Sequence, residues 1–220
     1  MFTGSSSFVE SVDFIFWLIV GISLVVFIGI TVTMIYFIIR YSRKRNPHPT
    51  NIDGNLALEI TWTLVPLVLF MGMFYFGWEG YKEMRTVPDD AIVVKVTAQM
   101  WQWSFEYPNG VKTDTLYAAV NTPMRLNLTS LDVNHSLYIP AFRVKKDVVP
   151  GRKNVMWFKA LQPGDYDIAC AEFCGLKHAY MYTKAVIKDS TAFNEWYRDV
   201  SLKQNKPYQS LLAPKMAAVK

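Results

Sequence analysis

Cysteine and histidine are scarce in this chain of 220 residues: the cysteines are Cys170 and Cys174, the histidines His48, His135 and His178. No Cys-x-x-Cys-His run occurs, which excludes a c-type haem attached to this polypeptide. A glycine motif for nucleotide phosphates and an internal repeat are missing as well. Charge is absent from Phe14 to Ile39, about 26 residues, and from Ile60 to Trp78, about 19. Crossing a bilayer as a helix takes roughly 20 apolar residues, so both runs are expected to be transmembrane. Neither run holds a histidine, and neither can therefore offer a haem the usual imidazole ligand. Pro66 lies inside the second run, where neighbouring helices can satisfy the carbonyl it frees and a kink is expected.

Between the runs stand Arg40, Arg43, Lys44 and Arg45, whereas only Glu10 and Asp13 precede the first. The excess of basic residues places this connection in the cytoplasm or matrix and both termini on the outer side. The first run is too long, and lacks the basic flank, for a cleaved signal peptide. A bacterial inner membrane is preferred over a mitochondrial one, with the N-terminus and the C-terminal domain in the periplasm.

From about Pro88 to Lys188 the pattern changes to short alternating runs. Met124–Thr129 and Gly164–Cys170 alternate with period two, as does Ile92–Thr97 less cleanly. Pro108-Asn-Gly110, Pro150-Gly151 and Pro163-Gly164 are turn signals between them. Such spacing predicts an all-β sandwich or Greek-key barrel. After Asp189, residues Phe193, Trp196, Tyr197 and Val200 follow the spacing of an amphipathic helix, which Asp189 or Ser190 can cap. Beyond Gln204, Pro207 and Pro214 with scattered lysines predict an extended tail. The expected organisation is residues 1–87 as N-terminal segment and helix hairpin (spans about 14–40 and 60–80), 88–188 as β domain, and 189–220 as helix and tail.

Chemistry concentrates in Cys170-Ala-Glu-Phe-Cys174-Gly-Leu-Lys-His178-Ala-Tyr-Met181. Thiolates with imidazole suit copper, and a thioether as weak ligand is a feature of copper electron-transfer sites rather than of zinc. One loop cannot complete such a site. His48 sits in a basic, proline-flanked stretch, while His135 opens the strand-like run His135–Pro140 and is the better further donor. Two imidazoles, two thiols and a thioether exceed what one copper needs and suit a pair of coppers sharing bridging thiolates. Plainer readings stand beside this one: a disulfide across a small strained loop, a structural zinc site that leaves Met181 unexplained, and core packing for Met181 or an ordinary hydrogen-bonded His135.

Taken together, these segments resemble subunit II of haem-copper cytochrome c oxidases over nearly the whole chain. The resemblance implies a two-helix transmembrane hairpin followed by a cupredoxin-like Greek-key domain with a C-terminal helix. It also implies a binuclear copper A centre: Cys170 and Cys174 bridging, His135 and His178 each on one copper, Met181 and the backbone carbonyl of Glu172 as weak ligands. Gln99-Met-Trp101-Gln-Trp103-Ser-Phe-Glu-Tyr107 resembles the family's aromatic stretch facing the electron donor, and implies that electrons enter at Trp101; Gln102 stands where the family usually has tyrosine. Read without the family, the same stretch is a strand with packed aromatics.

Glu59, in Glu59-Ile-Thr-Trp-Thr-Leu-Val-Pro66, by resemblance lies at the inner mouth of a proton pathway; the plainer reading is a residue ending the span at the interface. Lys146–Arg152 matches a motif at the subunit interface, which makes Asp147 and Arg152 supporting or interface residues. The carboxylate of Glu172 is a candidate ligand for magnesium or manganese at the boundary with subunit I. Asp132, with apolar Leu131 beside it, stands where a donor-docking acid would lie, although the net charge of +5 fits a basic donor poorly.

The implied function is acceptance of electrons from cytochrome c, or from a cytochrome c domain, and their transfer to haem in subunit I. There oxygen is reduced to water with proton translocation. Partners are then the catalytic subunit, other oxidase subunits and membrane lipid, with no nucleic acid. The alternatives are a membrane-anchored copper carrier and a quinol oxidase subunit II, the latter lacking the copper ligands; the absent histidine-rich cluster argues against a nitrous oxide reductase.

Overall fold

The structure, a computed structural model, describes residues 4–48, 50 and 53–212. It divides into two units: Ser11–Lys82 is one, and the described residues 4–10 join 83–212 in the other.

The first unit is built on α1 (Val9–Arg40) and α2 (Leu56–Arg85), of 32 and 30 residues, both long and apolar enough to cross a membrane. At 1.5 Å per residue they measure about 48 and 45 Å, against a hydrocarbon core of about 30 Å. The helices therefore outrun the uncharged stretches, because composition marks the part soluble in lipid while caps decide where the helix ends. Asn55 caps α2, its Oδ1 accepting from Leu58 N–H at 3.1 Å, and Glu59 Oε1 accepts from Asn55 N–H at 3.4 Å. Phe14 meets Phe76 edge-on at 5.9 Å, and a Cβ at Gly80 would lie 3.3 Å from Ile15, so α1 and α2 run antiparallel as a hairpin. Pro66 is accommodated inside α2.

In the second unit, β1 (Ile92–Gln99), β2 (Gln102–Glu106), β3 (Lys112–Thr113), β4 (Leu116–Ala119) and β5 (Pro123–Ser130) are followed by β6 (His135–Ile139), β7 (Val144–Val148), β8 (Asn154–Lys159), β9 (Gly164–Cys170) and β10 (Tyr182–Lys188). They form two five-stranded sheets, ordered β3-β2-β1-β5-β8 and β4-β10-β9-β6-β7, between which the chain passes repeatedly. The period-two pattern explains the packing: Ile92, Val94, Val96 and Ala98 of β1 face the core, with Leu126, Leu128, Leu137, Phe158, Ile168 and Ile187. The run from His135 leaves the strand at Ile139, where Pro140 starts a 3-10 turn. The Trp101 segment is not one continuous strand, since Met100 and Trp101 form the turn between β1 and β2.

The residues before α1 depart from the expected grouping with the hairpin. Ser6 pairs with Ala160, and Ser7 N–H donates to Lys159 O at 3.0 Å. Ser6 Oγ donates to Phe142 O at 2.9 Å, and Ser5 Oγ donates to Ala141 O. Phe8 is buried with its edge on Trp157 at 4.8 Å. Small hydroxylated residues thus extend the sheet backbone, and one aromatic fixes them to the core.

The helix α3 (Ser190–Lys203) buries Phe193 and Tyr197 and stacks Trp196 on Tyr117 at 4.0 Å. Asp189 takes the N-cap position in extended backbone without a side-chain capping bond, and Ser190 is already helical, so the expected cap is not made. The tail from Gln204 has no regular element up to Leu212, and Pro214 lies outside the described residues. Phe8→Ala is expected to cost about 3 kcal/mol of stability in the β unit of the full chain, measured by denaturant unfolding with tryptophan fluorescence; a change below experimental error would mean that this segment is not anchored there.

Candidate metal centre

Strand pairing brings the donors together. Leu137 of β6 is paired with Cys170 at the end of β9, so His135, two residues earlier, projects from the same end of the sheet. The loop 171–181 leaves β9 and returns as β10, its base closed by Cys170 N–H to Met181 O at 3.1 Å and Ala171 N–H to Ser136 O at 3.0 Å. A 3-10 turn at His178–Tyr180 turns His178 back toward Cys174.

The resulting cluster is compact. Cys170 Sγ lies 3.8 Å from Cys174 Sγ, 3.9 Å from His135 Nδ1 and 3.3 Å from the Glu172 carbonyl oxygen. Cys174 Sγ lies 3.6 Å from His178 Nδ1 and 3.8 Å from Met181 Sδ. The donor atoms of His135, Cys170 and Cys174 all fall within 4.8 Å of one another. His135 and Met181 are fully buried, Cys170 and Cys174 nearly so, and His178 is half-buried. Both cysteines are free thiols, which disfavours the disulfide. Burial pushes the Cys174 thiol up to about 11, reinforced by the neighbouring Cys170. Soft sulfur and imidazole converging on one enclosed space fit copper, and the thioether at the same distance as the second thiol is what a zinc site would leave unused.

The surroundings orient these donors. His135 Nε2 is 2.8 Å from Asp132 Oδ1, which leaves Nδ1 directed at the sulfurs. Asp132 also accepts from Val133 N–H at 2.6 Å through Oδ1, and from Met100 N–H at 2.6 Å through Oδ2. Burial raises its pKa, but these hydrogen bonds outweigh burial and hold the carboxyl below its usual range. Asp132 is thus engaged inward, 23% exposed, rather than standing free as a docking acid. No sequence spacing announced this role except the i, i+3 relation to His135.

Trp101 lies half-buried against the cluster, its Nε1–H donating to Cys174 O at 3.2 Å. Gly175 lies at this contact: its φ of +111° suits glycine, while a Cβ there would sit in ordinary contact, 3.5 Å from the indole. Trp103 Nε1–H donates to Met181 O at 3.4 Å. Glu172 turns its carboxylate to Lys145, Oε1 to Nζ 3.0 Å, and Lys145 also holds Asp147 at 3.0 Å. Those two carboxylates raise the Lys145 pKa, Glu172 most, while Lys145 and then Ser136 Oγ, at 2.9 Å, lower that of Asp147. Arg152 is exposed, its backbone N–H donating to Val149 O at 3.1 Å. Glu59 belongs to the helix unit, where it is exposed and closes the cap of α2, and His48 is exposed in the connection.

Known proteins share this arrangement of segments. The sequence matches the family "Cytochrome C oxidase subunit II, transmembrane domain" over residues 1–77 and "Cytochrome C oxidase subunit II, periplasmic domain" over residues 111–189. It is 30% identical over 209 residues to cytochrome c oxidase subunit 2 of Cereibacter sphaeroides, covering 77% of this chain and 69% of the relative. It is 33% identical over 208 residues to that of Alkalihalophilus pseudofirmus, covering 88% of this chain and 60% of the relative. The crystal structure of the periplasmic domain of subunit II of cytochrome oxidase from Bradyrhizobium japonicum superposes with a TM-score of 0.52 at 31% identity, covering 54% of this chain and 99% of that one. The β unit is therefore cupredoxin-like, the two long helices are membrane helices, and the chain belongs to the cytochrome c oxidase subunit II family, a component of an oxidoreductase complex.

Proposed function

We propose that this chain is the electron-accepting subunit of a terminal haem-copper oxidase, receiving electrons from cytochrome c and delivering them to haem in subunit I, where oxygen is reduced to water with proton translocation. The observation that carries the reading is the enclosed cluster in which two thiols 3.8 Å apart face two imidazoles and a thioether. His135, Cys170, Cys174, His178, Met181 and the Glu172 carbonyl would hold a binuclear copper A centre. When bound, a copper pair sharing thiolates supplies a one-electron redox centre whose charge is spread over both metals.

The chain's own residues make that site suitable for relay. Burial of His135, Cys170, Cys174 and Met181 keeps water from most of the site, with only His178 half-buried at its margin. Asp132 fixes the His135 ring through Nε2, and Trp101 offers an aromatic ring one hydrogen bond from the Cys174 backbone. A copper carrier is disfavoured by this closure, because metal exchange needs an accessible site. The quinol oxidase alternative is disfavoured by the presence of every expected donor.

Three further assignments belong to the same proposal. Orientation follows the basic connection between α1 and α2, with the β unit in the periplasm of a bacterial inner membrane. Magnesium or manganese at Glu172, next to subunit I, would compete with Lys145 for the carboxylate. Glu59 would serve as the entrance of a proton pathway in addition to closing the α2 cap.

The deciding test is electron paramagnetic resonance of the copper-loaded full chain in detergent. A mixed-valence signal coupled to two equivalent coppers is expected, and Cys170→Ser or Cys174→Ser should each abolish it; a single-copper signal from the parent chain rules the centre out. Trp101→Phe should slow electron transfer from reduced cytochrome c about tenfold or more with the spectrum unchanged, and an unaltered rate would remove Trp101 from its role. Asp132→Ala should weaken copper retention against a chelator by about 10- to 100-fold, since the partner fixing the His135 ring is lost. Retention equal to the parent would show that this carboxylate does not set ring orientation.

A further inference from the structure

Three stretches of chain meet at Trp101. Its own turn lies within 98–103; the segment 130–135 is tied to that turn by Leu131 N–H to Ala98 O at 3.0 Å and by Met100 N–H to Asp132 Oδ2 at 2.6 Å. The ligand loop 170–181 is tied to it by the indole N–H on Cys174 O. Their outward residues include Met100, 44% exposed, and Leu131, 66% exposed, beside the partly exposed indole. An apolar centre of this kind needs charge around it to select and orient a partner.

The charges on these three stretches are few: Asp132, Glu172 and Lys177. Asp132 is spent on His135 and two backbone N–H groups, and Glu172 is paired with Lys145. Lys177 differs from both. It is exposed, no carboxylate lies against it among the described residues, and its Nζ stands 5.8 Å from the Trp101 ring centroid. Beyond roughly 8–10 Å salt screens surface charge at physiological strength, so the ammonium over the indole outweighs distant groups in the field a docking protein meets.

We infer that Lys177 makes the Trp101 surface a docking face for a cytochrome c that presents carboxylates around its exposed haem edge. This rests on the reading of Trp101 as the point where electrons enter, and adds the charge of the partner. An apolar contact over Met100, Trp101 and Leu131 brings the donor close, and the ammonium of Lys177 pairs with its carboxylate rim. A donor with a lysine rim would bring like charge onto Lys177 with no free carboxylate on these stretches to offset it.

The test uses the complete oxidase containing this chain and two reduced soluble cytochromes c as probes, one acidic and one basic, with the bimolecular rate followed by stopped flow against ionic strength. For the acidic probe the rate should fall as salt rises, and Lys177→Glu should lower it about tenfold at low salt while raising the rate of the basic probe. Lys177→Gln should give changes of the same sign and smaller size. The copper spectrum of each variant reports whether the ligand loop is intact. If the basic probe is the one slowed by salt in the parent enzyme, or if both substitutions leave both probes unchanged, the inference is overturned. Trp101→Phe separates the two levels. Slowing of both probes by Trp101→Phe with no effect of Lys177 substitution overturns the charge assignment alone, whereas no slowing by Trp101→Phe overturns the point of electron input and the inference with it.

Discussion

The structure depends on the pairing of β6 with β9, which sets a buried imidazole beside a buried thiol and leaves the eleven-residue loop 171–181 to return the other donors to the same place. Bringing such groups together without a ligand is unfavourable. Burial makes the Cys174 thiol resist ionisation, and the His135 ring gives one nitrogen to a carboxylate and turns the other toward sulfur. A fold that pays conformational entropy to order these groups obtains little from their mutual contacts. On the proposed reading a cation accepts these converging lone pairs, and metal binding would then add to folding stability.

The parts of this arrangement visible in the sequence are those written locally. The uncharged runs reveal membrane helices because a span through lipid needs an apolar stretch, and β1 and β5 are visible because one buried face imposes a period of two, whereas Ile168, Ala169 and Cys170 are buried in succession at the end of β9. The donors of the ligand loop lie within twelve residues, so their chemistry can be read before their geometry. Hidden from the sequence were features that need distant segments to meet. Serines at 5 and 6 carry no signal that their partners are Ala141 and Phe142, and Lys145 gives no hint of Glu172. Asp132 was open to misreading for the same reason: an acid between Leu131 and Val133 looks exposed until the turn at Met100 closes over it.

Helix ends illustrate a related limit. Glu59 stands out in the sequence as an acid at the margin of a membrane span, yet it accepts from Asn55 N–H in the cap of α2, a contact that any helix start could use. The structural use does not compete with a proton-conducting one, because a carboxylate held by one weak, 3.4 Å hydrogen bond at an exposed position keeps its second oxygen free. Lys145 presents the opposite case. It binds two carboxylates at 3.0 Å each, joining β7 to the ligand loop through Glu172, so any cation placed on Glu172 must be argued against an existing ammonium.

The ligand loop has two faces with different physical demands. Cys174 and Met181 point inward and are buried, while Phe173, Leu176 and Tyr180 are more than four-fifths exposed and Lys177 rises over the indole. The inner face tolerates little change, since each donor is fixed by strand register or by a hydrogen bond to the loop backbone. The outer face is freer to vary, Phe173 excepted, whose ring lies 5.9 Å from that of His178. Gly175 joins the two: its positive φ lets the loop fold tightly against Trp101, so whatever docks on the outside is held one hydrogen bond from the Cys174 backbone. A single exposed residue, set on a backbone that the buried donors hold rigid, can therefore change the partner that binds without changing the centre that partner reaches.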